Sequence, residues 1–112
     1  MKTSLRFALV LTIMAASLVF GSPAFAATDA AQLFKSKCSM CHGVDGKGFS
    51  AIHTPDFTSP KWQASMTNKE ITTVITNGKK GTAMPAFGNK LKSEEIQALV
   101  HYLRSLNSAK KK

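Results

Sequence analysis

The sequence predicts a small all-α domain in which three main helices are joined by long loops. Three segments repeat apolar residues at helical spacing, and the connections between them are rich in glycine and proline. No alternation of apolar and polar residues, as expected of a strand, persists anywhere in the chain. The 112 residues are enough for one small domain and too few for two.

The first 26 residues have the features of a secretory signal peptide. Lys2 and Arg6 precede an apolar run of 13 residues, and Ala24-Phe25-Ala26 then offers small residues where a signal peptidase reads. The alternative is a membrane anchor, but a span needs about 20 apolar residues, more than this run provides. We therefore expect cleavage after Ala26, export to the periplasm and no stable membrane anchor in the mature protein.

The predicted mature domain comprises residues 27–112 and loses Lys2 and Arg6, so its formal charge is +7 in place of +9. A domain of this size buries a marginal core and usually needs a further stabilising element. A disulfide between Cys38 and Cys41 would close only a very short loop and would stabilise little. A large apolar cofactor would complete the core more effectively.

The first helix is predicted over residues 29–41. Thr28 or Asp29 can cap its N-terminus. Four residues then share one face at helical spacing: Ala30, Phe34, Cys38 and Cys41. Phe34 is therefore expected to face the same side as the two cysteines.

The second helix is predicted over residues 68–77. Thr67 and Glu70 have the spacing of a capping box, and an apolar stripe follows: Ile71, Val74 and Ile75. Gly78 is a typical C-terminal stop. Met66, just before the cap, is expected to pack on Ile71 as a hydrophobic staple.

The third helix is predicted over residues 94–106, with Ser93 as its N-cap and two glutamates in its first turn. One face is apolar and comprises Ile96, Leu99, Val100, Leu103 and Leu106, with Tyr102 at its edge. His101 lies on the opposite, polar face, and we expect it to be solvated.

Two long connections separate these helices. Residues 43–66 carry three glycines and two prolines, which predicts a loop with turns rather than strands, and residues 78–91 again carry three glycines. A structureless loop as long as the first is unusual in a compact domain. It is understandable if the chain wraps around a large apolar group.

The segment Cys38-Ser39-Met40-Cys41-His42 matches Cys-x-x-Cys-His, the attachment pattern of a c-type haem. Two thiols on one helical turn can each add to one porphyrin vinyl group, and His42 then projects over the iron as its proximal ligand. A thioredoxin-like dithiol would follow a strand, and none is predicted before Cys38. A structural zinc site would need a second pair of ligands, and His53 and His101 are not spaced as such a pair.

The sixth position of the iron has several candidate ligands. Met40 lies between the anchoring cysteines, on the proximal side, where it cannot reach the distal face of the haem. Met66 is expected to be a hydrophobic staple, and His101 is expected to face solvent. His53 lies in the long loop and stays open as an alternative.

Met84 is the favoured sixth ligand. Pro85 follows it and biases its backbone toward an extended conformation. Gly81 and Gly88 flank it and allow the loop to approach a flat ring closely. Ordinary loop packing of this methionine is the alternative role.

With the attachment motif and the Met84-Pro85 segment, the mature chain resembles the small bacterial single-haem class I cytochromes c almost end to end. Phe34, Leu99 and Tyr102 match apolar and aromatic positions of the family's first and last helices. The resemblance implies a cytochrome c fold in which these helices cross near-perpendicularly beside one covalent haem c. Ala30 stands where the family often has glycine at that crossing.

The resemblance also implies two further residues in the haem environment. In the family, a proline carbonyl in the loop after the motif accepts a proton from the proximal histidine, and Pro55 matches that proline. Such a contact would fix the imidazole ring of His42. Trp62 resembles the loop tryptophan that contacts a haem propionate, although a role as a core aromatic is equally open.

These assignments predict a soluble periplasmic electron carrier with His/Met-ligated iron, and not an enzyme, because both axial positions are filled. The alternative is a haem sensor or peroxidase-like protein in which Met84 is absent from the iron or easily displaced. A subunit dedicated to one oxidoreductase is a third possibility.

The positive charge of the mature domain indicates what kind of protein it docks to. Six lysines lie in or beside the loops expected around the haem: Lys47, Lys61, Lys79, Lys80, Lys90 and Lys92. They predict redox protein partners with acidic docking surfaces, although simple solvated lysines would have the same pattern. The basic residues are scattered without interleaved aromatics, which argues against nucleic-acid binding. We expect a monomer.

Overall fold

The computed structural model describes residues 29–110 and contains five α-helices there. They are α1 (Ala30–Lys37), α2 (Ser39–His42), α3 (Pro60–Ser65), α4 (Asn68–Asn77) and α5 (Ser93–Ser105), with 3₁₀ turns at Ser50–Ile52 and Ser108–Lys110. No strand occurs in this part of the chain, and the all-α prediction is confirmed. None of the helices described is long and apolar enough to cross a membrane. The predicted signal peptide, residues 1–26, lies outside the described residues.

The predicted first helix is divided into α1 and α2 at Cys38. As expected, the Asp29 carboxylate caps α1 by accepting a hydrogen bond of 3.0 Å from the Gln32 N–H. The Ser39 hydroxyl donates to the Lys35 carbonyl at 2.6 Å. A serine side chain that bonds back to the preceding turn commonly bends a helix, which accounts for the break.

Helix α3 differs from the prediction, since it lies within residues 43–66, where the sequence predicts a loop with turns. Pro60 occupies its first turn, where the absent N–H of proline is harmless, and Ser59 before it is extended. The Ser59-Pro60 pair was the available sequence signal. The side chain of Gln63, in this helix, is buried.

Helix α4 has the predicted bounds and the predicted capping box. The Thr67 N–H donates to Glu70 Oε2 at 2.7 Å, and the Glu70 N–H donates to Thr67 Oγ1 at 3.2 Å. Gly78 ends the helix with φ of 73°. Met66 packs against the hydrophobic core, as expected of a staple residue.

Helix α5 begins one residue earlier than predicted. Lys92, not Ser93, occupies the N-cap position, with an extended backbone. The Lys92 N–H donates to Glu95 Oε2 at 2.7 Å. This bond explains why the helix starts one residue early. A glutamate at the third helical position can accept from the backbone N–H of the N-cap residue whatever side chain that residue has.

The core lies where α1 and α4 pack on α5. Phe34, Leu99 and Val100 are almost completely enclosed. The ring of Phe34 contacts that of Tyr102 on α5 with centroids 5.2 Å apart. This aromatic contact joins the helix before the cysteine motif to the last helix and so positions α2.

Candidate functional site

The Cys-x-x-Cys-His motif consists of helix α2 and Cys38, which is its N-cap residue. The His42 N–H donates to the Cys38 carbonyl at 3.0 Å, which closes the turn between them. Both thiols are free, but Cys38 is half-buried and Cys41 is exposed. Burial raises the pKa of the Cys38 thiol to about 11. The two sulfurs therefore lie one turn apart in different environments.

The His42 imidazole is half-buried against Phe57, with ring centroids 4.7 Å apart and planes 25° apart. Among the buried side-chain polar atoms of residues 29–110, only its Nδ1 has no hydrogen-bond partner. Burial lowers the pKa of His42, which favours the neutral imidazole, the form that ligates metals. Because Nδ1 is enclosed by protein, Nε2 is the ring nitrogen available to a metal.

Pro55 does not make the hydrogen bond expected of it. Nδ1 of His42 has no partner in the described residues, and the Pro55 carbonyl faces the Cα of Gly48 instead. A Cβ on Gly48 would lie 2.6 Å from that oxygen, and the glycine has φ of +70°. The Gly48 N–H donates to the His42 carbonyl at 2.8 Å. Gly48 therefore brings Pro55 beside the backbone of the motif, and a role for Pro55 toward the haem stays a prediction.

Phe57 is the site residue that the sequence reasoning missed. It is buried in the core, and its ring contacts the rings of both His42 and Trp62. The Phe57–Trp62 centroid distance is 4.6 Å. The sequence offered little to single it out, because the same connection also carries Phe49 and Trp62. Trp62 is half-buried and packs on the core, and its predicted contact with a propionate stays a prediction.

Met84 lies in a loop that is anchored to the C-terminal end of α4. The Phe87 N–H donates to the Ile75 carbonyl at 2.9 Å, and the Lys79 N–H donates to the Met84 carbonyl at 3.2 Å. A Cβ on Gly78 would lie only 2.8 Å from the Met84 carbonyl oxygen. The Met84 side chain is half-buried against the hydrophobic core. Met84 and His42 thus border one core, His42 through Phe57 and Met84 directly.

The other candidate ligands have different surroundings. Met40 is 91% exposed, and His53 and His101 are also exposed. His53 has a left-handed backbone, with φ of 57°, at the end of a 3₁₀ turn. Of the methionines and histidines in residues 29–110, His42, Met66 and Met84 have partly enclosed side chains.

The residues present fit a covalently attached haem. Two free thiols lie one turn apart, and the adjacent imidazole keeps Nε2 available while Nδ1 is enclosed.

Comparison with known proteins identifies the family. The family described as "Cytochrome C oxidase, cbb3-type, subunit III" matches residues 25–103. The cbb3-type oxidase subunit FixP of Azorhizobium caulinodans is 36% identical over 81 residues, which cover 72% of this chain and 27% of that protein. The chain therefore spans about a quarter of the length of such subunits.

Two relatives are small c-type cytochromes. Cytochrome c6 of Gloeothece citriformis is 34% identical over 102 residues, which cover 85% of this chain and 90% of that protein. The solved structure of the KustC0563 c-type cytochrome has a TM-score of 0.65 and 32% identity, over 70% of this chain and 98% of that one. The chain belongs to the cbb3-type cytochrome c oxidase subunit III family and is a small single-haem class I cytochrome c with covalently bound haem c.

Proposed function

We propose that this protein is a soluble periplasmic electron carrier in which Cys38 and Cys41 hold one haem, and His42 and Met84 are the axial ligands of its iron. The observation that carries the proposal is the half-buried His42 imidazole, which has Nδ1 enclosed and lies one residue after two free thiols. The anchored Met84 loop, beside the same core, supports the second ligand.

Cys38 and Cys41 would each hold the haem by a thioether, with sulfur added to one vinyl carbon and the thiol hydrogen to the other. The cofactor would then lie beside His42, whose neutral Nε2 would be a ligand of its iron. When bound, the haem supplies one-electron chemistry by cycling between ferrous and ferric iron.

Met84 has two roles in the proposal. Its thioether sulfur, a soft and uncharged donor, favours ferrous iron and so raises the reduction potential. Because the loop is tied to α4 by backbone hydrogen bonds, Met84 would also exclude water and small ligands from the metal. No substrate needs to bind the metal, which suits a carrier and not an enzyme.

We assign residues 1–26 to a signal peptide that is removed on export, and residues 27–112 to the cytochrome domain. The six lysines named above are all exposed, and five belong to loops while Lys61 lies at the start of α3. A positive surface of this kind favours docking to acidic redox partners, with association rates that fall as salt rises.

The test is a redox titration of the purified holoprotein with optical spectra. We expect Met84→Ala to keep haem attached, to lower the reduction potential, to remove the weak far-red band of methionine-ligated ferric haem and to allow carbon monoxide to bind the ferrous form. Met40→Ala is the matched control, because Met40 is 91% exposed, and it should leave all four properties unchanged. An unchanged potential and band in Met84→Ala would show that Met84 is not a ligand.

A second candidate function is that of a carrier dedicated to one terminal oxidase. The match of residues 25–103 to the cbb3-type subunit III family favours it. Copurification with a single oxidase, and electron delivery to that oxidase alone, would distinguish it from a general carrier.

A further inference from the structure

Gln63 on α3 is the buried polar side chain of the described core, with 8% exposure. Its Nε2 donates to the carbonyl oxygens of Phe57 and Leu103 at 2.7 and 2.8 Å. Its Oε1 accepts from Arg104 at 3.0 Å. The amide thus uses both donor hydrogens and its acceptor, which offsets the cost of burying it.

Arg104 on α5 fixes the position of this amide. Its guanidinium donates to the Gln63 backbone carbonyl at 2.7 Å, to Asn68 Oδ1 at 2.7 Å and to the Met66 carbonyl. The acceptors belong to α3, to the turn after it and to α4. Because a guanidinium is planar and rigid, these bonds hold α3 at a defined position against α5.

Phe57 connects the hydrogen-bonded pair to the candidate iron ligand. Its N–H donates to the Gly46 carbonyl at 2.8 Å, and its own carbonyl accepts from Gln63. Its ring then stacks on His42. The two ring planes are 25° apart with centroids at 4.7 Å, so this stacking restricts rotation of the imidazole plane.

We propose that Gln63, anchored by Arg104, is a positioning residue that fixes the plane of the His42 imidazole through Phe57. The inference rests on the proposed role of His42 as an iron ligand. Neighbours that orient a ligating imidazole tune the metal. If His42 ligates the iron, a change in the plane of its imidazole would alter how the unpaired spin of the ferric protein is distributed among the haem methyl groups.

The experiment compares two glutamine variants of the holoprotein. Gln63→Met keeps an unbranched side chain of similar length and removes all three hydrogen bonds. Gln97→Met is the matched control, because Gln97 is exposed on α5 and makes one long contact of 3.4 Å. We expect Gln63→Met to change the spread of the haem methyl proton resonances of the ferric protein and to shift its reduction potential, while Gln97→Met matches the wild type.

A wild-type resonance pattern in Gln63→Met would overturn the inference, even if the denaturation midpoint fell, because the amide would then serve stability alone. If Gln63→Met does not yield holoprotein, Arg104→Lys provides the second variant. It keeps the positive charge and removes the forked contact, so it should change the resonances in the same direction. An unchanged pattern in Arg104→Lys would equally overturn the inference.

The His42→Ala variant separates this inference from the proposed function. Wild-type spectra in His42→Ala would show that another group ligates the iron, and the proposed function would fail. Loss of holoprotein or altered spectra in His42→Ala, together with a wild-type resonance pattern in Gln63→Met, would reject the positioning role alone.

Discussion

Replacing Phe57 by leucine isolates the aromatic contacts around the His42 ring from simple burial. Phe57 is buried, and its ring lies 4.7 Å from His42, 4.6 Å from Trp62 and 6.3 Å from Phe34. Leucine retains most of the apolar area but no aromatic ring. The substitution therefore removes ring contacts that are each worth about 0.5–1.5 kcal/mol beyond burial.

The two closest ring pairs set the magnitude. Their loss corresponds to about 1–3 kcal/mol of unfolding free energy. With a guanidinium slope of about 3 kcal/mol per M for a domain of this size, the denaturation midpoint of the holoprotein falls by about 0.3–1 M. Far-UV circular dichroism during guanidinium unfolding measures this midpoint.

Phe49→Leu is the matched control. Phe49 lies in the same connection after the motif but is 47% exposed, and it has none of the ring pairs described for Phe57. Its replacement should change the unfolding free energy by less than about 0.5 kcal/mol. Equal midpoint shifts in the two variants would refute the assignment of Phe57 as the aromatic support of His42.

Two further predictions test the proposed iron ligand His42 and the capping box of α4. His42→Ala should abolish stable holoprotein, because the haem that completes the small core loses a ligand, whereas replacing exposed His101 by alanine should yield normal holoprotein. The haem absorbance of the purified proteins measures both outcomes. Native helix content in haem-free His42→Ala would contradict this reasoning. Hydrogen bonds from the Thr67 backbone and side chain lower the pKa of the Glu70 carboxyl from its usual value of 4.5. The ionised carboxylate therefore stabilises the folded protein above pH 4.5, and this contribution is lost as the pH falls through the lowered pKa. Glu70→Gln should therefore weaken the acid dependence of thermal stability relative to Glu94→Gln, and identical acid profiles for the two variants would count against the capping role.

Local sequence signals predicted three main helices, but they did not predict every helix boundary. Helix α4 has the predicted bounds because its capping box and Gly78 are both specified within a few residues. The break at Cys38 depends on one serine hydroxyl, and the start of α5 depends on a glutamate that reaches back to Lys92. Helix α3 has only six residues and too short an apolar pattern to be recognised by periodicity.

The all-α class and a covalent haem c could be predicted from the sequence alone, because helical periodicity and Cys-x-x-Cys-His are local patterns. The residues that surround His42 became known only from the tertiary structure. Phe57 lies 15 positions beyond His42, and Gln63 meets Arg104 across 41 positions. Contacts between residues so far apart in the chain depend on how the helices and loops pack together. Local sequence spacing therefore does not predict them.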